Sequence, residues 1–290
     1  MTGQHDDPNR PFNSVDDTPP QERLSSYSFP DDRLKKVMDN PGKTPLLLVA
    51  CGSFSPITYL HLRMFEMAAD YVKFSTKFEL IGGYLSPVSD AYRKAGLASA
   101  RHRIAMCQLA VDQTRIGSWL NPWEALQKDY SQRRRFWIIL TRDKYRSWWN
   151  RYWRWHSQAT GADLIHTMST PGVWSEEDLD HILGRYGTFI VERSGTDIDE
   201  AIAGLLPWKD NIYVIQQLIQ NDVSSTKIRL FLRREMSVRY LIPGPVIDYI
   251  VEHHLYEEDS GTGVSSAVQD KLGEKVDARY QSKAKTSASD

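Results

Sequence analysis

The chain is 290 residues long, with 41% hydrophobic and 25% charged residues and a formal net charge of −1. Such a composition is typical of a globular protein with one large domain or two small ones. The near-zero charge argues against general nucleic-acid binding, which usually requires a strongly basic surface. No apolar run reaches the length that spans a membrane.

Two cysteines, Cys51 and Cys107, lie in apolar surroundings without the spacing of metal ligands, which favours a reducing compartment. The polar N-terminus, rich in Asp and Pro, is unlike a secretory signal or an Arg-rich transit peptide. We therefore expect an intracellular protein of the nucleus, the cytoplasm or both, with no membrane partner and no specific nucleic acid. The sequence leaves a monomer and a homo-oligomer equally open.

The two ends of the chain differ in composition from its middle. Residues 1–44 carry many Pro, Asp and Ser with little apolar periodicity, and residues 257–290 are rich in Gly, Ser, Lys and Asp. Neither end offers enough apolar surface to offset the entropy lost on ordering, so both are predicted to be disordered arms. Residues 45–256 are predicted to form one globular domain.

Apolar runs alternate with helical spacing along this domain. The runs predict strands at 46–50, 78–85, 188–192 and 212–215, and the spacing predicts helices at 60–73, 100–113, 176–186 and 226–235. Strands that alternate with helices imply an α/β fold with a doubly wound, mainly parallel sheet. Such sheets bind ligands beyond the carboxyl ends of their strands, at the point where the strand order reverses.

A small-residue turn follows the first predicted strand and leads into a helix. It reads Cys-Gly-Ser-Phe-Ser-Pro-Ile-Thr-Tyr-Leu-His from Cys51 to His61. Backbone N–H groups and the helix N-terminus converge in a turn of this kind and suit an anionic phosphate, which Gly52 lets approach closely. His61 lies one turn into the helix and adds a side-chain donor. A strand–turn–helix with one Gly and one His is also a common structural unit.

A second turn, Asn221–Arg229, enters the last of these predicted helices. Ser224 or Ser225 is suited to the N-cap, and Thr226 and Arg229 share one helical face. Hydroxyls, N–H groups and a guanidinium at one place suit a polyphosphate, although a capped helix with solvated basic residues gives the same pattern.

Together the two turns resemble the G-x-F-x-P-x-(H/T)-x-x-H and I-S-S-T-x-x-R signatures of the nucleotidyltransferase superfamily. Thr58 stands in the first His position, and Val223 stands for the usual Ile. This form is similar to the eukaryotic, fungal-like nicotinamide/nicotinate mononucleotide adenylyltransferases. The resemblance implies a Rossmann-like fold and the formation of NAD from ATP and nicotinamide mononucleotide, with nicotinate mononucleotide as a second substrate. It also implies Mg²⁺ bound with ATP rather than in a protein metal cage.

The same resemblance implies roles for particular residues, with His61 and Arg229 as the catalytic pair. The ATP and phosphate contacts it implies are Gly52, Ser53, Phe54, His61, Asn221, Ser225, Thr226, Lys227 and Arg229. The mononucleotide contacts it implies are Tyr92, Lys94, Tyr130, Gly161, Asp163, Val173 and Trp174. Core packing, helix capping or a solvated charge would account for several of these residues equally well.

Residues 131–160 depart from the resemblance, because they hold five tryptophans and eight basic residues against one acid. The family places an apolar strand before Gly161, whereas residues 155–160 read Trp-His-Ser-Gln-Ala-Thr, a poor buried strand. Three interpretations are open: a basic, aromatic nucleic-acid patch, a lineage-specific insertion, or a mis-spliced or frame-shifted reading of the gene. A missing central strand would leave its neighbours unpaired.

Two alternative functions follow from these observations. One is another transfer reaction of the superfamily, on pantetheine phosphate or a cytidylyl acceptor, against which the Tyr92–Lys94 segment, Tyr130 and Trp174 argue. The other is a nucleotide-binding or chaperone-like protein that keeps the fold but has lost turnover because of residues 131–160.

Overall fold

The computed structural model describes residues 27, 29–114, 118–127, 155–192 and 197–257, and of residues 118–119 and 155–163 it describes the backbone alone. The described residues up to Tyr256 belong to one compact unit. Tyr130 and most of the atypical segment, residues 131–154, lie outside the described residues.

Six parallel strands form one sheet in the described part of the chain. They are β1 (Thr44–Gly52), β2 (Phe78–Pro87), β3 (Ser118–Leu120), β4 (Trp155–Gly161), β5 (Thr188–Val191) and β6 (Ile212–Ile215). Their order is β3-β2-β1-β4-β5-β6, so the chain runs outward from β1 to one edge and then returns to fill the other. This confirms the predicted Rossmann-like, doubly wound fold, with the reversal point between β1 and β4.

Both faces of the sheet are covered by packed side chains. Along β1, successive side chains point alternately into two buried clusters, one on each face. Leu46, Leu48 and Ala50 belong to one buried cluster, and Leu47 and Val49 belong to the other. All five are less than 5% exposed. A strand buried on both faces reads as a continuous apolar run, which is why the sequence identified it.

Seven α-helices lie among the described residues, five of them between strands and two after β6. They are α1 (Tyr59–Ser75), α2 (Ala100–Val111), α3 (Ala162–Ser169), α4 (Glu176–Leu179), α5 (Ile198–Ile202), α6 (Ser225–Arg233) and α7 (Gly244–Glu252). The helix predicted at 176–186 divides into α4 and a π-helical turn, Asp180–Gly184. In the described residues, none of the helices combines the length and apolarity that a membrane crossing requires.

The expectation that residues 155–160 make a poor strand is wrong for the backbone. Strand β4 pairs with β1 on one side and with β5 on the other, and is therefore a central strand. Parallel pairing uses backbone N–H and C=O groups, which every non-proline residue provides, and both neighbours offer unpaired groups at this place. Side-chain polarity alone was therefore a poor guide.

The predicted N-terminal arm, residues 1–44, extends too far into the chain, because residues 29–43 pack against β2. We call residues 29–43 the N-terminal strap. Leu34 is buried, and Lys35 pairs with Glu79 at 2.6 Å. Glu79 also accepts hydrogen bonds from the backbone N–H groups of Asp39 and Asn40, each at 2.8 Å. The folded part thus begins before residue 44.

Candidate functional site

The turn after β1 is held by a close packing of Gly52 and Phe54. Phe54 has a positive φ of 44° and is 2% exposed. A Cβ built on Gly52 would lie 2.9 Å from Phe54 Cζ, so only glycine leaves space for the ring. Gly52 therefore makes room for a protein side chain, a requirement separate from the close ligand approach expected from the sequence.

His61 is fixed by a capping box at the start of α1. Thr58 is the N-cap, and its backbone N–H donates to His61 Nδ1 at 2.9 Å, while the His61 N–H donates to Thr58 Oγ1 at 3.4 Å. A backbone N–H can only donate, so Nδ1 is an acceptor and the neutral ring carries its proton on Nε2. The rings of Phe54 and His61 pack nearly perpendicular to each other, with centroids 5.1 Å apart. The cap thus sets the tautomer in which Nε2 is the donor.

The second turn reaches the first through hydrogen bonds from α6. Ser224 is the N-cap, and its side chain accepts from the Lys227 N–H at 3.2 Å. Ser225 Oγ donates to the carbonyl of Pro56 at 2.8 Å, and the Nη1 of Arg229 donates to the carbonyl of Ser55 at 2.7 Å. The two motifs predicted from separate parts of the sequence are therefore joined directly.

Arg229 is buried, with 6% of its surface exposed. Burial lowers the pKa of its guanidinium, the nearby Tyr256 phenol opposes that change, and Arg233 adds to it. Arg229 Nη2 donates to Thr226 Oγ1 at 3.3 Å, whereas Nε is buried and has no acceptor among the described residues. A buried cationic donor of this kind favours an anion.

Gly96 brings a third segment, residues 89–98, against Arg229. Its φ is +71°, and a Cβ built on it would lie 2.8 Å from Arg229 Nε. Its carbonyl accepts from Ser55 Oγ at 3.3 Å. This segment contains Tyr92, the last residue of a short 3₁₀ helix (Asp90–Tyr92), and Lys94, which lies between that helix and Gly96, and both residues are exposed.

The remaining predicted residues are distributed around the same edge of the sheet. Gly161 ends β4 and Asp163 is the second residue of α3, so their backbones lie at the carboxyl edge where β1 ends at Gly52. Val173 is 57% exposed, and Trp174, half-buried, donates from Nε1 to Thr167 Oγ1 at 3.2 Å. Tyr130 lies outside the described residues.

Asn221 and Lys227 make local contacts at the start of α6. Asn221 Oδ1 accepts from the Val223 N–H at 2.9 Å, and Lys227 Nζ donates to the Asp222 carbonyl at 3.0 Å. Both side chains therefore stabilise the turn itself. Their predicted contacts with ATP stay predictions, as do those of the other residues of the site.

Arg103, which is fully buried in α2, is not among the residues predicted from the sequence. It donates to the carbonyls of Ala98 at 2.8 Å and Ser53 at 3.2 Å, and to the carboxylate of Asp90 at 2.8 Å. Arg103 thus joins the first turn to the 89–98 segment. A signal was present, because Arg103 follows Ala100 and precedes Met106 and Cys107 at the spacing of a buried helix face.

Two helix N-termini, a buried guanidinium and a fixed imidazole donor thus meet at the carboxyl edge of a doubly wound sheet, an arrangement suited to the phosphates of a nucleotide. The Cytidylyltransferase-like family matches residues 49–231, and this is the class of protein that the fold and the site define.

Individual relatives identify one family within this class. The chain is 47% identical to "Nicotinamide/nicotinic acid mononucleotide adenylyltransferase 1" of Saccharomyces cerevisiae over 82% of this chain and 62% of that protein. It is 39% identical to "Nicotinamide/nicotinic acid mononucleotide adenylyltransferase" of Arabidopsis thaliana over 79% of this chain and 98% of that protein. The chain belongs to the nicotinamide/nicotinic acid mononucleotide adenylyltransferase family.

A solved structure shares the fold. "Plasmodium falciparum nicotinic acid mononucleotide adenylyltransferase complexed with NaAD" aligns with a TM-score of 0.54 at 21% identity, over 73% of this chain and 97% of that chain. The aligned part of this chain spans less than two thirds of the length of the Saccharomyces cerevisiae relative.

Proposed function

We propose that this chain transfers the adenylyl group of ATP to nicotinamide mononucleotide, forming NAD and pyrophosphate, and that nicotinate mononucleotide is adenylylated in the same way. The Saccharomyces cerevisiae and Arabidopsis thaliana relatives are named for this activity, and the Plasmodium falciparum protein was solved with NaAD. The chain's own site supports the proposal independently of those names.

The supporting observation is the direct junction between the two phosphate turns. Ser225, the first residue of α6, donates to Pro56, which lies two residues before the N-cap of α1. The N-terminal turns of both helices therefore lie together, and each has backbone N–H groups without intrahelical acceptors. Two such ends beside Arg229 favour a ligand with several negative charges, such as a triphosphate.

The reaction requires little covalent chemistry from the protein, because the adenylyl group passes directly from one substrate to the other. An oxygen of the mononucleotide 5′-phosphate forms a bond to the α-phosphorus of ATP while the bond from that phosphorus to the bridging oxygen breaks, and pyrophosphate leaves with the electron pair. The nucleophile is already an anion, so no general base is needed. Catalysis then rests on positioning and on neutralising charge, with His61 donating from Nε2 and Arg229 stabilising the leaving pyrophosphate.

Magnesium enters this proposal as part of the substrate, Mg-ATP. The side chains at the junction are cationic or hydroxyl donors, which suit phosphate oxygens. The described residues contain no group of three or more His, Cys, Asp and Glu that could hold a metal ion. The donor set therefore fits a magnesium ion held chiefly by phosphate oxygens and water.

The test is the formation of NAD and pyrophosphate from Mg-ATP and nicotinamide mononucleotide by the 290-residue chain. Equal amounts of both products would establish the activity. A panel with nicotinate mononucleotide, pantetheine phosphate and CTP with a phosphorylated acceptor separates the family's reaction from others of the superfamily. Binding of Mg-ATP without product on any acceptor would contradict the proposal and favour the nucleotide-binding alternative.

A further inference from the structure

Ser55 lies at the centre of the junction, and its hydroxyl is fully engaged. The residue is 1% exposed, and its Oγ lies 2.9 Å from the Ala98 nitrogen, 3.3 Å from the Gly96 oxygen and 2.9 Å from the Tyr256 hydroxyl. A serine hydroxyl has one proton and two acceptor positions. The Ser55 hydroxyl accepts from the Ala98 N–H, and in its contact with Tyr256 either of the two hydroxyls can be the donor.

Tyr256 reaches Ser55 from the far end of the folded unit, 201 positions along the chain. Helix α7 ends at Glu252, and His254 and Tyr256 then adopt positive φ values of 49° and 66°. Non-glycine residues adopt this conformation when surrounding contacts hold them there. Burial raises the pKa of Tyr256 to about 12, against the Ser55 hydrogen bond and the charge of Arg229, so the hydroxyl keeps its proton at neutral pH.

The same residue, Ser55, therefore makes a hydrogen bond with Tyr256 through its hydroxyl and receives one from Arg229 on its carbonyl. A shift of Ser55 would move the acceptor of the buried guanidinium. We propose that Tyr256 is a positioning residue for the phosphate site: by holding Ser55, it holds Arg229 where the β- and γ-phosphates of ATP bind. This inference rests on the proposed function for the identity of the ligand.

The test compares Tyr256→Phe with Tyr249→Phe in the full chain. Tyr249 is a matched control, because it is a buried tyrosine that makes one side-chain hydrogen bond, with His102 Nδ1 at 3.0 Å, whereas Tyr256 is partly buried. We expect Tyr256→Phe to weaken Mg-ATP binding about three- to tenfold, the range expected for one lost hydrogen bond. The KM for the mononucleotide should change less than about twofold, and Tyr249→Phe should leave Mg-ATP binding unchanged.

Calorimetric binding of Mg-ATP keeps this test separate from the proposed activity. A wild-type chain that binds Mg-ATP but makes no NAD would contradict the proposed reaction. The comparison of Mg-ATP binding by Tyr256→Phe and Tyr249→Phe would still be valid. Equal Mg-ATP affinity of Tyr256→Phe and wild type would overturn the inference about Tyr256.

A double-mutant cycle that combines Tyr256→Phe with Ser55→Ala tests whether Tyr256 affects Mg-ATP binding through Ser55. If Tyr256 acts through Ser55, the double variant should bind Mg-ATP no more weakly than Ser55→Ala alone, because the shared hydrogen bond is already lost. Additive losses would show that Tyr256 acts elsewhere and would overturn the proposal. Thermal unfolding of each variant identifies any that is not folded.

Discussion

The buried guanidinium of Arg103 lies 2.8 Å from the half-exposed carboxylate of Asp90, Nη2 to Oδ1. The same guanidinium holds the carbonyls of Ser53 and Ala98. One side chain thus connects the turn after β1 with the segment that carries Tyr92 and Lys94.

Replacing Arg103 by Met should destabilise the protein, because it removes three hydrogen bonds and leaves the partly buried carbonyls of Ser53 and Ala98 without this donor. We expect the free energy of unfolding to fall by about 2–4 kcal/mol. Urea unfolding measures it, with Arg101→Met on the exposed side of α2 as the control, which should change stability by less than about 0.5 kcal/mol. Equal values for the two variants would contradict the assigned role of Arg103.

Replacing His61 by Ala should lower kcat by about two to three orders of magnitude, because it removes the donor assigned to the developing phosphate charge. It also removes half of a capping box, which should lower stability by about 1 kcal/mol. His61→Gln separates the two effects, because glutamine completes a capping box and should restore the stability. Near wild-type turnover by a folded His61→Ala variant would refute the catalytic role.

Replacing Gly96 by Ala should weaken Mg-ATP binding. The new Cβ would lie 2.8 Å from Arg229 Nε, and Arg229 cannot yield without leaving the Ser55 carbonyl. Gly172→Ala is the control, because Gly172 has a similar φ of +78° and nothing within 4 Å of its added Cβ. Both variants should lose about 1 kcal/mol of stability from backbone strain. Calorimetry should find weaker Mg-ATP binding in Gly96→Ala alone, and equal binding would contradict the contact.

Glu79→Gln should loosen the N-terminal strap in a pH-dependent way. Burial raises the pKa of Glu79, but hydrogen bonds from Lys35 and from the N–H groups of Asp39 and Asn40 outweigh it and bring the pKa below 4.5. The unfolded state then binds the proton more readily, so the carboxylate stabilises the fold above pH 4.5 and this contribution is lost as the pH falls through the lowered value.

Unfolding in urea should therefore be easier for Glu79→Gln by about 1 kcal/mol at pH 7, and the difference should become smaller at pH 3, where more of the carboxylate is protonated. The exposed Asp39→Asn variant should differ little from wild type at either pH, because surface ion pairs contribute little. A difference for Glu79→Gln that persists unchanged at pH 3 would show that the charge is not the cause.

Much of the fold follows from local pattern. Strands β1, β2, β5 and β6 were predictable because each contains a mainly apolar run, as β1 does from Leu46 to Ala50. Strand β4 was not predictable, because its place depends on backbone groups offered by β1 and β5, which local side-chain polarity does not report. The N-terminal strap was missed because its few apolar residues, such as Leu34, have no period.

The candidate site likewise has a part that could be predicted from the sequence and a part that could not. The two turns were recognisable because each is a short contiguous string, and Ser224 was correctly considered for the N-cap. The contacts that bring the turns together could not be read locally, since 174 residues separate Ser55 from Arg229 and 201 separate it from Tyr256. Arg103 could have been recognised from the sequence, because it is a charged residue on the buried face of α2.

The contact between Ser55 and Tyr256 also bears on how the protein is made. The ribosome synthesises β1 and its turn early, yet Arg229 and Tyr256 emerge only after almost all of the compact unit. A nascent chain shorter than 256 residues can pair β1 with β2 but cannot close the junction around Ser55. Nucleotide binding would therefore be acquired only once residue 256 has been synthesised, after the sheet has formed, rather than gradually along with it.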